Sequence, residues 1–332
     1  MRSIFFCIDG HTAGNPVRLV VGGAPLLRGA SMSERRQDFL ARFDWIRTGL
    51  MFEPRGHDMM SGGFLYPPTR DDAEAGVLFI ETSGCLPMCG HGTIGIATFA
   101  IENGLIVPRH PGRLRLEVPA GVIDLLYRED AGRVVAVKIR NVPAYLAATD
   151  IRIEVAGLGT LHLDVAYGGN FYAIIEPQQA YAGLDALGAT GIQRLSPEVR
   201  RLVRECIEPV HPDDPTISGV SHVLWADAPR GDGADGRNAV FYGDRAIDRS
   251  PCGTGTSARL AQLVARGRLQ VGDTFVHESL IGSRFVGRVE AATTVGGHDA
   301  IVPSVEGSAI ATGYNTIFID RTDRFWNGFQ AI

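Results

Sequence analysis

Two segments of the chain align with each other around a cysteine, Cys89-Gly90-His91-Gly92-Thr93-Ile94 and Cys252-Gly253-Thr254-Gly255-Thr256-Ser257. Each cysteine opens a glycine-rich turn and is followed by a helical pattern, Ile94 to Asn103 in the first copy and Ser257 to Arg266 in the second. Both helical patterns meet a glycine fifteen residues after their cysteine, Gly104 and Gly267, where a left-handed C-terminal cap belongs. A chain duplicated in this way is constrained to fold as two similar halves, each carrying one thiol at the start of a helix.

The duplication extends past the cysteines. Val77-Leu78-Phe79 and Val240-Phe241-Tyr242 each start twelve residues upstream of their cysteine and read as strands. Gly14-Asn15 precedes Val17-Arg18-Leu19-Val20-Val21, much as Gly169-Asn170 precedes Phe171 to Ile175. Downstream, Leu114 to Tyr127 and Thr274 to Val289 alternate as strands broken at Gly121 and Gly282. Ile96, Phe99 and Ala100, and likewise Leu260, Leu263 and Val264, fall at i, i+3, i+4 and predict that both helices are buried as core. The expected fold class is therefore α/β (α+β), in two similar halves. Each is a curved, mixed or antiparallel sheet around a central helix, and the junction lies between Asn141 and Gly159, where Pro143 and Gly157 punctuate the pattern.

Composition narrows the function classes. The 332 residues, 45% of them hydrophobic, suffice for two domains with substantial cores. The net charge of −5 without a basic run argues against a nucleic-acid surface. No stretch of about 18 uncharged apolar residues predicts a membrane span, and the start, Met1 to Asp9, does not read as a secretory signal. Five cysteines, an odd number, do not suggest a disulfide framework. A reducing cytoplasm is the expected location, and it would keep two facing thiols reduced. A small molecule is the expected partner, with no nucleic acid and no membrane; a second copy of the chain, in a homodimer, is left open.

A helix start offers unpaired N–H groups and the positive end of a dipole, which favour a carboxylate and lower the pKa of a cysteine there. Two such starts facing one small anion would place a thiol on each side of it, the arrangement needed to take a proton from one face of a carbon and return one to the other. Backbone N–H groups of Gly90, His91, Gly253 and Thr254 would stabilise the charge that develops. No cofactor is expected: the single lysine, Lys138, lies in an alternating strand pattern and reads as a solvated side chain. No metal is expected either, because Cys85-x3-Cys89-x-His91 has no second cluster to complete four ligands.

The stretch Asp248-Arg249-Ser250-Pro251-Cys252-Gly253-Thr254-Gly255-Thr256-Ser257-Ala258, with Met88-Cys89-Gly90-His91-Gly92-Thr93-Ile94-Gly95, resembles the proline racemase superfamily. Within it the motifs look most like the 4-hydroxyproline 2-epimerases. The resemblance runs from Asp9-Gly10-His11-Thr12-Ala13-Gly14-Asn15-Pro16-Val17-Arg18 to Gly313-Tyr314-Asn315-Thr316-Ile317-Phe318. It implies a diaminopimelate epimerase-like fold with residues 1–145 as the first half, 146–314 as the second, a tail, 315–332, returning to the first, and the active site between the halves. It further implies cofactor-independent epimerisation at the α-carbon of 4-hydroxyproline, with Cys89 and Cys252 as the catalytic pair. Asp248 would meet the substrate ammonium, His91 would contact substrate through its backbone N–H and imidazole, and His222 matches a position that contacts substrate.

The alternatives are close in chemistry. His91-Gly92-Thr93 looks more like hydroxyproline epimerases than like proline racemases, which tend to carry His-Asn-Ser there. Related 3-hydroxyproline dehydratases replace the second cysteine by threonine, so Cys252 argues for epimerisation. Ala13 departs from close relatives, which often have cysteine at that place. A non-catalytic anion-binding module would not explain two equivalent cysteines, a P-loop enzyme would need Gly-Lys-Ser/Thr, and nothing marks a third group for a cysteine hydrolase. Tyr242 and Phe64 are candidates to wall the substrate ring, although strand aromatics are more often core. Cys7 and Cys206 are assigned to packing. Pro229 to Arg237 reads as an exposed loop, and Glu53 to Asp58 as a loop near the site mouth without a catalytic role.

Overall fold

The protein, described by a computed structural model over residues 2–331, divides into two compact units. One is made of Ile139 and the residues before it together with Gly307 and those after it; the other is Arg140–Glu306. The first runs β1 (Arg2–Thr12), β2 (Asn15–Gly22), α1 (Met32–Arg42), α2 (Asp44–Met51), β3 (Ser61–Tyr66), β4 (Ala75–Glu81), α3 (Gly90–Glu102), β5 (Arg113–Val118), β6 (Gly121–Asp130) and β7 (Arg133–Arg140). The second continues with β8 (Ala144–Val155), β9 (Gly159–Tyr167), β10 (Phe171–Ile175), α4 (Leu184–Cys206), β11 (Val220–Asp227), β12 (Gly236–Tyr242) and β13 (Ala246–Ile247). It closes with α5 (Gly253–Ala265), β14 (Thr274–Glu278), β15 (Arg284–Val295) and β16 (His298–Gly307), after which β17 (Ala309–Asp320) belongs to the first unit.

The duplication in sequence is a duplication in pairing. In the first unit β17 is antiparallel to β1, β1 antiparallel to β2, β2 parallel to β3, β3 antiparallel to β4, β4 parallel to β5 and β5 antiparallel to β6. The second repeats that run through β8, β9, β10, β11, β12, β14 and β15, with β16 added antiparallel to β15. Parallel neighbours cannot be joined by a tight hairpin and need a crossover. Each parallel pair here has its helices in that crossover: α1 and α2 between β2 and β3, α3 between β4 and β5, α4 between β10 and β11, and α5 between β12 and β14. The expected plan of a sheet around one helix thus gains α1, α2 and α4, demanded by parallel pairings that no local pattern announces.

The helices that follow the cysteines are buried along almost their whole length, Gly90 to Ala100 in α3 and Gly253 to Leu263 in α5. A helix largely apolar all round, as α3 is, belongs inside a core, whereas α5 also buries Arg259 and Gln262 by pairing them with Glu176 and Asp164; α3 packs on β1, β2, β3 and β17, and α5 on β8, β9, β10 and β15. Both end at the expected glycine in the left-handed region, Gly104 at φ 65° and Gly267 at φ 69°. In each, the glycine N–H bonds the carbonyl three residues back and the next N–H bonds the carbonyl five back, at 3.1 and 2.8 Å in α3 and 2.9 and 2.8 Å in α5. That pair of bonds is the Schellman cap.

A second matched pair fixes the loops ahead of β4 and β12. Glu117 in β5 and Glu278 in β14 take the same place in their parallel pairings, opposite Gly76 and Arg237. Glu117 accepts from the backbone N–H of Thr69 at 2.6 Å, and Glu278 from those of Arg230 and Gly231 at 2.9 and 3.0 Å. The loop expected at Pro229 to Arg237 is shorter than that: Gly236 and Arg237 are buried in β12, and Arg237 donates to Asp185 at 2.9 Å. Charge pairing with Asp185 lets an arginine enter a strand that composition alone assigned to solvent.

Candidate active site

Cys89 occupies the N-cap position of α3 in an extended conformation, φ −140° and ψ 106°. The first bond of that helix runs from Thr93 N–H to the Cys89 carbonyl at 2.9 Å. The N–H groups of Gly90, His91 and Gly92 therefore precede the helix's own bonding and lie at the positive end of its dipole. The buried sulfur is 3.7 Å from His91 Nδ1 and 3.9 Å from Nε2. The same Nε2 is 2.9 Å from Asn15 Nδ2 and 2.9 Å from Ser61 Oγ. Because the Asn15 amide nitrogen can only donate, Nε2 accepts, and a neutral ring carries its proton on Nδ1.

Cys252 is the N-cap of α5 but sits at φ 64° and ψ 108°, a conformation that residues with a side chain rarely adopt. Such a backbone costs of the order of 1–3 kcal/mol and persists only where its surroundings over-determine it. They do so here. Ser250 donates through both N–H and O–H to Asp248 Oδ1 at 2.8 Å, Ser250 Oγ accepts from Cys252 N–H at 3.1 Å, and Asn238 Nδ2 donates to the Pro251 carbonyl at 2.8 Å. Behind this turn His277 Nδ1 lies 2.9 Å from Thr256 Oγ1, and complete burial holds that imidazole neutral, its pKa pushed down to about 3.

The Cys252 sulfur accepts from Gly255 N–H at 3.4 Å and stands 3.3 Å from the Tyr172 hydroxyl, which is 2.5 Å from Thr254 Oγ1. Asn170 Nδ2 donates to the same Thr254 oxygen at 3.4 Å. The Tyr172 ring stacks on His222 at 4.7 Å, and the Tyr242 ring lies 6.2 Å beyond His222. A helix start was expected to pull the thiol toward neutrality, but burial outweighs it at Cys252 and raises the pKa above the ordinary thiol range. The Asp248 carboxylate raises it further; Tyr172, the Gly255 N–H and Thr254 oppose both.

The residues singled out from sequence gather at the two helix starts, Cys89, Gly90 and His91 at α3, and Cys252, Gly253, Thr254 and buried Asp248 at α5, with His222 joined to the latter through Tyr172. Asn15, Ser61, Asn170 and Tyr172 were not anticipated; the one available signal was that both asparagines follow a glycine at matching places in the duplication. Phe64 is core, tilted against Phe39 at 5.8 Å. Cys7 and Cys85 belong to that core, and burial pushes both thiols up to about 12. Cys206, assigned to packing, is instead exposed as the last residue of α4, past Val203, where the buried face of the helix ends, and opposite Arg204 and its bond to the Val220 carbonyl. Among the described residues no group of three His, Cys, Asp or Glu side chains is placed to hold a metal ion, and no helix is long and apolar enough to cross a membrane.

Comparison with known proteins agrees over the whole chain. The proline racemase family model matches residues 7–330. A 4-hydroxyproline 2-epimerase of Shewanella loihica is 60% identical over 332 residues, covering 100% of both chains, and one of Paracoccus denitrificans is 62% identical over 327 residues, covering 98% of both. Among solved structures, a hydroxyproline epimerase from Agrobacterium vitis with bound trans-4-hydroxy-L-proline superposes with a TM-score of 0.91 at 30% identity, covering 99% of this chain and 95% of that one.

Proposed function

The chain belongs to the proline racemase family, and from that premise we propose that it is a 4-hydroxyproline 2-epimerase, interconverting trans-4-hydroxy-L-proline and cis-4-hydroxy-D-proline without a cofactor. The observation that carries the reading is the pair of buried cysteines, each capping a buried helix whose first N–H groups precede its internal bonds. The names of relatives near 60% identity and the ligand of the Agrobacterium vitis enzyme support the choice of substrate.

In the reaction one sulfur, as thiolate, takes the α-proton; the electron pair left on carbon delocalises into the carboxylate; the other sulfur, as thiol, gives its proton to the opposite face. The enzyme ends with the roles of Cys89 and Cys252 exchanged, so no co-reactant is consumed. The N–H groups of Gly90, His91, Gly253 and Thr254 hold the carboxylate and stabilise its added charge. Asp248 receives the substrate ammonium, with His222 contacting substrate beside it. That ammonium offsets the carboxylate charge that raises the Cys252 pKa, so substrate itself eases formation of the Cys252 thiolate. The His91 imidazole lies against Cys89, its two ring nitrogens 3.7 and 3.9 Å from the sulfur. We place the protein in the cytoplasm, where both thiols stay reduced.

The test is incubation of the reduced protein in D2O with trans-4-hydroxy-L-proline, L-proline and trans-3-hydroxy-L-proline separately, following the α-proton and stereochemistry by NMR. Preferential α-deuteration of the first with formation of its cis-D epimer is expected. Preference for proline makes the protein a racemase, loss of the 3-hydroxyl makes it a dehydratase, and no exchange with any of them overturns the catalytic reading.

A further inference from the structure

We propose that Tyr172 is a positioning residue for the epimerisation: its hydroxyl, set between Thr254 Oγ1 and Cys252 Sγ, donates to the sulfur when Cys252 is a thiolate and to Thr254 when it is a thiol. The proposal rests on the reading of Cys252 as a reacting thiol. A phenol has one proton to donate and here has two acceptors in reach, at 2.5 and 3.3 Å. With Cys252 protonated, S–H donates to the phenol oxygen and the phenol donates to Thr254. With Cys252 ionised, the Thr254 hydroxyl donates to the phenol oxygen and the phenol donates to sulfur, a charge-assisted bond stronger than a neutral one. Apart from the sulfur's own proton, which is exchanged with substrate, only hydroxyl rotations separate the two states, so Tyr172 and Thr254 each keep their proton.

Core packing alone would be served by phenylalanine at this wholly buried place in β10. The hydroxyl is the part that must find polar partners, and Cys252 and Thr254, the two within its reach, both belong to the second cysteine turn. The ring is also prevented from swinging away. It lies against His222, and a Cβ built on Gly255 would stand 3.3 Å from its edge. The charged and titratable groups around the sulfur act on it in opposite senses: Asp248 raises the thiol's pKa, while Tyr172, the Gly255 N–H and Thr254 lower it, with His222 and then Tyr242 stacked behind the phenol. In the first unit the second residue after the matching asparagine is Val17, which has no hydroxyl. There the imidazole of His91 stands beside Cys89 instead. Each thiol is thus given its own kind of polar side-chain neighbour, an imidazole for one and a phenol for the other.

Tyr172→Phe keeps the ring and its stack and removes only the donor. Both reaction directions share one equilibrium constant, so kcat/KM for the two epimers is expected to fall by a common factor, roughly ten- to a hundredfold for a bond to a charged group. A role confined to packing would not single out one sulfur. Alkylation by iodoacetamide at fixed pH, resolved by peptide mass spectrometry, is therefore expected to slow about tenfold at Cys252 and not at Cys89. Placing 3-fluorotyrosine at position 172, a stronger donor, is expected to speed it at Cys252. An unchanged Cys252 rate in both variants, or rates at both cysteines moving together, overturns the proposal. Full two-way turnover by Cys252→Ser would overturn the two-thiol reading itself, whatever Tyr172 does.

Discussion

Asn15 and Asn170 occupy equivalent places in the two units, and each donates its carboxamide to the side chain two residues past a cysteine, to His91 Nε2 at 2.9 Å and to Thr254 Oγ1 at 3.4 Å. Each follows a glycine in a positive-φ turn, Gly14 at φ 93° and Gly169 at φ 108°. The same support therefore holds two different chemistries, a ring that can carry a proton in the first unit and a hydroxyl in the second.

Asn15→Asp tests what that support does for His91. A carboxylate cannot donate to Nε2, so the ring proton is expected to move to Nε2 and leave Nδ1 without one. The tautomer change is read directly from the imidazole nitrogen shifts of labelled histidine, and kcat/KM is expected to drop by about tenfold or more with it. Unaltered nitrogen shifts would show that Asn15 does not set the tautomer.

Removing either reacting sulfur should stop the reaction in both directions. Cys89→Ser and Cys252→Ser are each expected to lower turnover of both epimers by about a thousandfold, the range for losing a positioned acid or base. Serine fills nearly the same volume, so thermal midpoints should stay close to that of the parent protein. One variant retaining full two-way turnover would leave the two-sulfur mechanism without support.

Much of this was legible because the duplication supplies its own control. The helix after each cysteine, its glycine cap and the strands on either side recur at fixed offsets, and a pattern seen twice is unlike chance. Pairing partners are different in kind. Nothing local says that β2 and β3 are parallel, and that fact brings in α1 and α2 and sets Ser61 beside His91. Ile192, Leu195, Val199 and Val203 do fall at helical spacing and mark the buried face of α4. Tyr172 reads as core in the run Phe171 to Ile175, because its value depends on His222 and Thr254, which lie far along the chain.

The charge on Asp248 should separate reactivity from turnover. Its carboxylate is the second cause, after burial, of the raised Cys252 pKa. A raised pKa keeps the group a thiol through neutral pH and lets it ionise only as pH climbs past the ordinary thiol range. Alkylation of Cys252 should therefore accelerate by about tenfold per pH unit without levelling up to pH of about 10. Asp248→Asn keeps an oxygen for the Ser250 bonds while removing the charge, so Cys252 should alkylate faster at any given pH. Turnover should move the other way, with kcat/KM falling roughly a hundredfold because the ammonium loses its partner. Slower alkylation in the variant would show that the carboxylate is not what holds the thiol protonated.

Gly92 separates the cost of displacing a thiol from the cost of destabilising a helix. A Cβ there would stand 2.8 Å from Cys89 Sγ, closer than such atoms approach, so the sulfur must shift. Alanine within a helix otherwise gains about 1 kcal/mol over glycine. Gly92→Ala is therefore expected to keep or raise the thermal midpoint while lowering kcat by roughly tenfold to a hundredfold, the scale for moving a reacting group by a fraction of an ångström to an ångström. Gly104→Ala is the opposite case: nothing lies within 4 Å of its added Cβ, but φ is 65°. It should cost about 1 kcal/mol of stability and leave kcat near that of the parent. Thermal melts and initial rates on the two proteins together decide the matter; equal losses of stability would mean that Gly92 serves the helix rather than the sulfur.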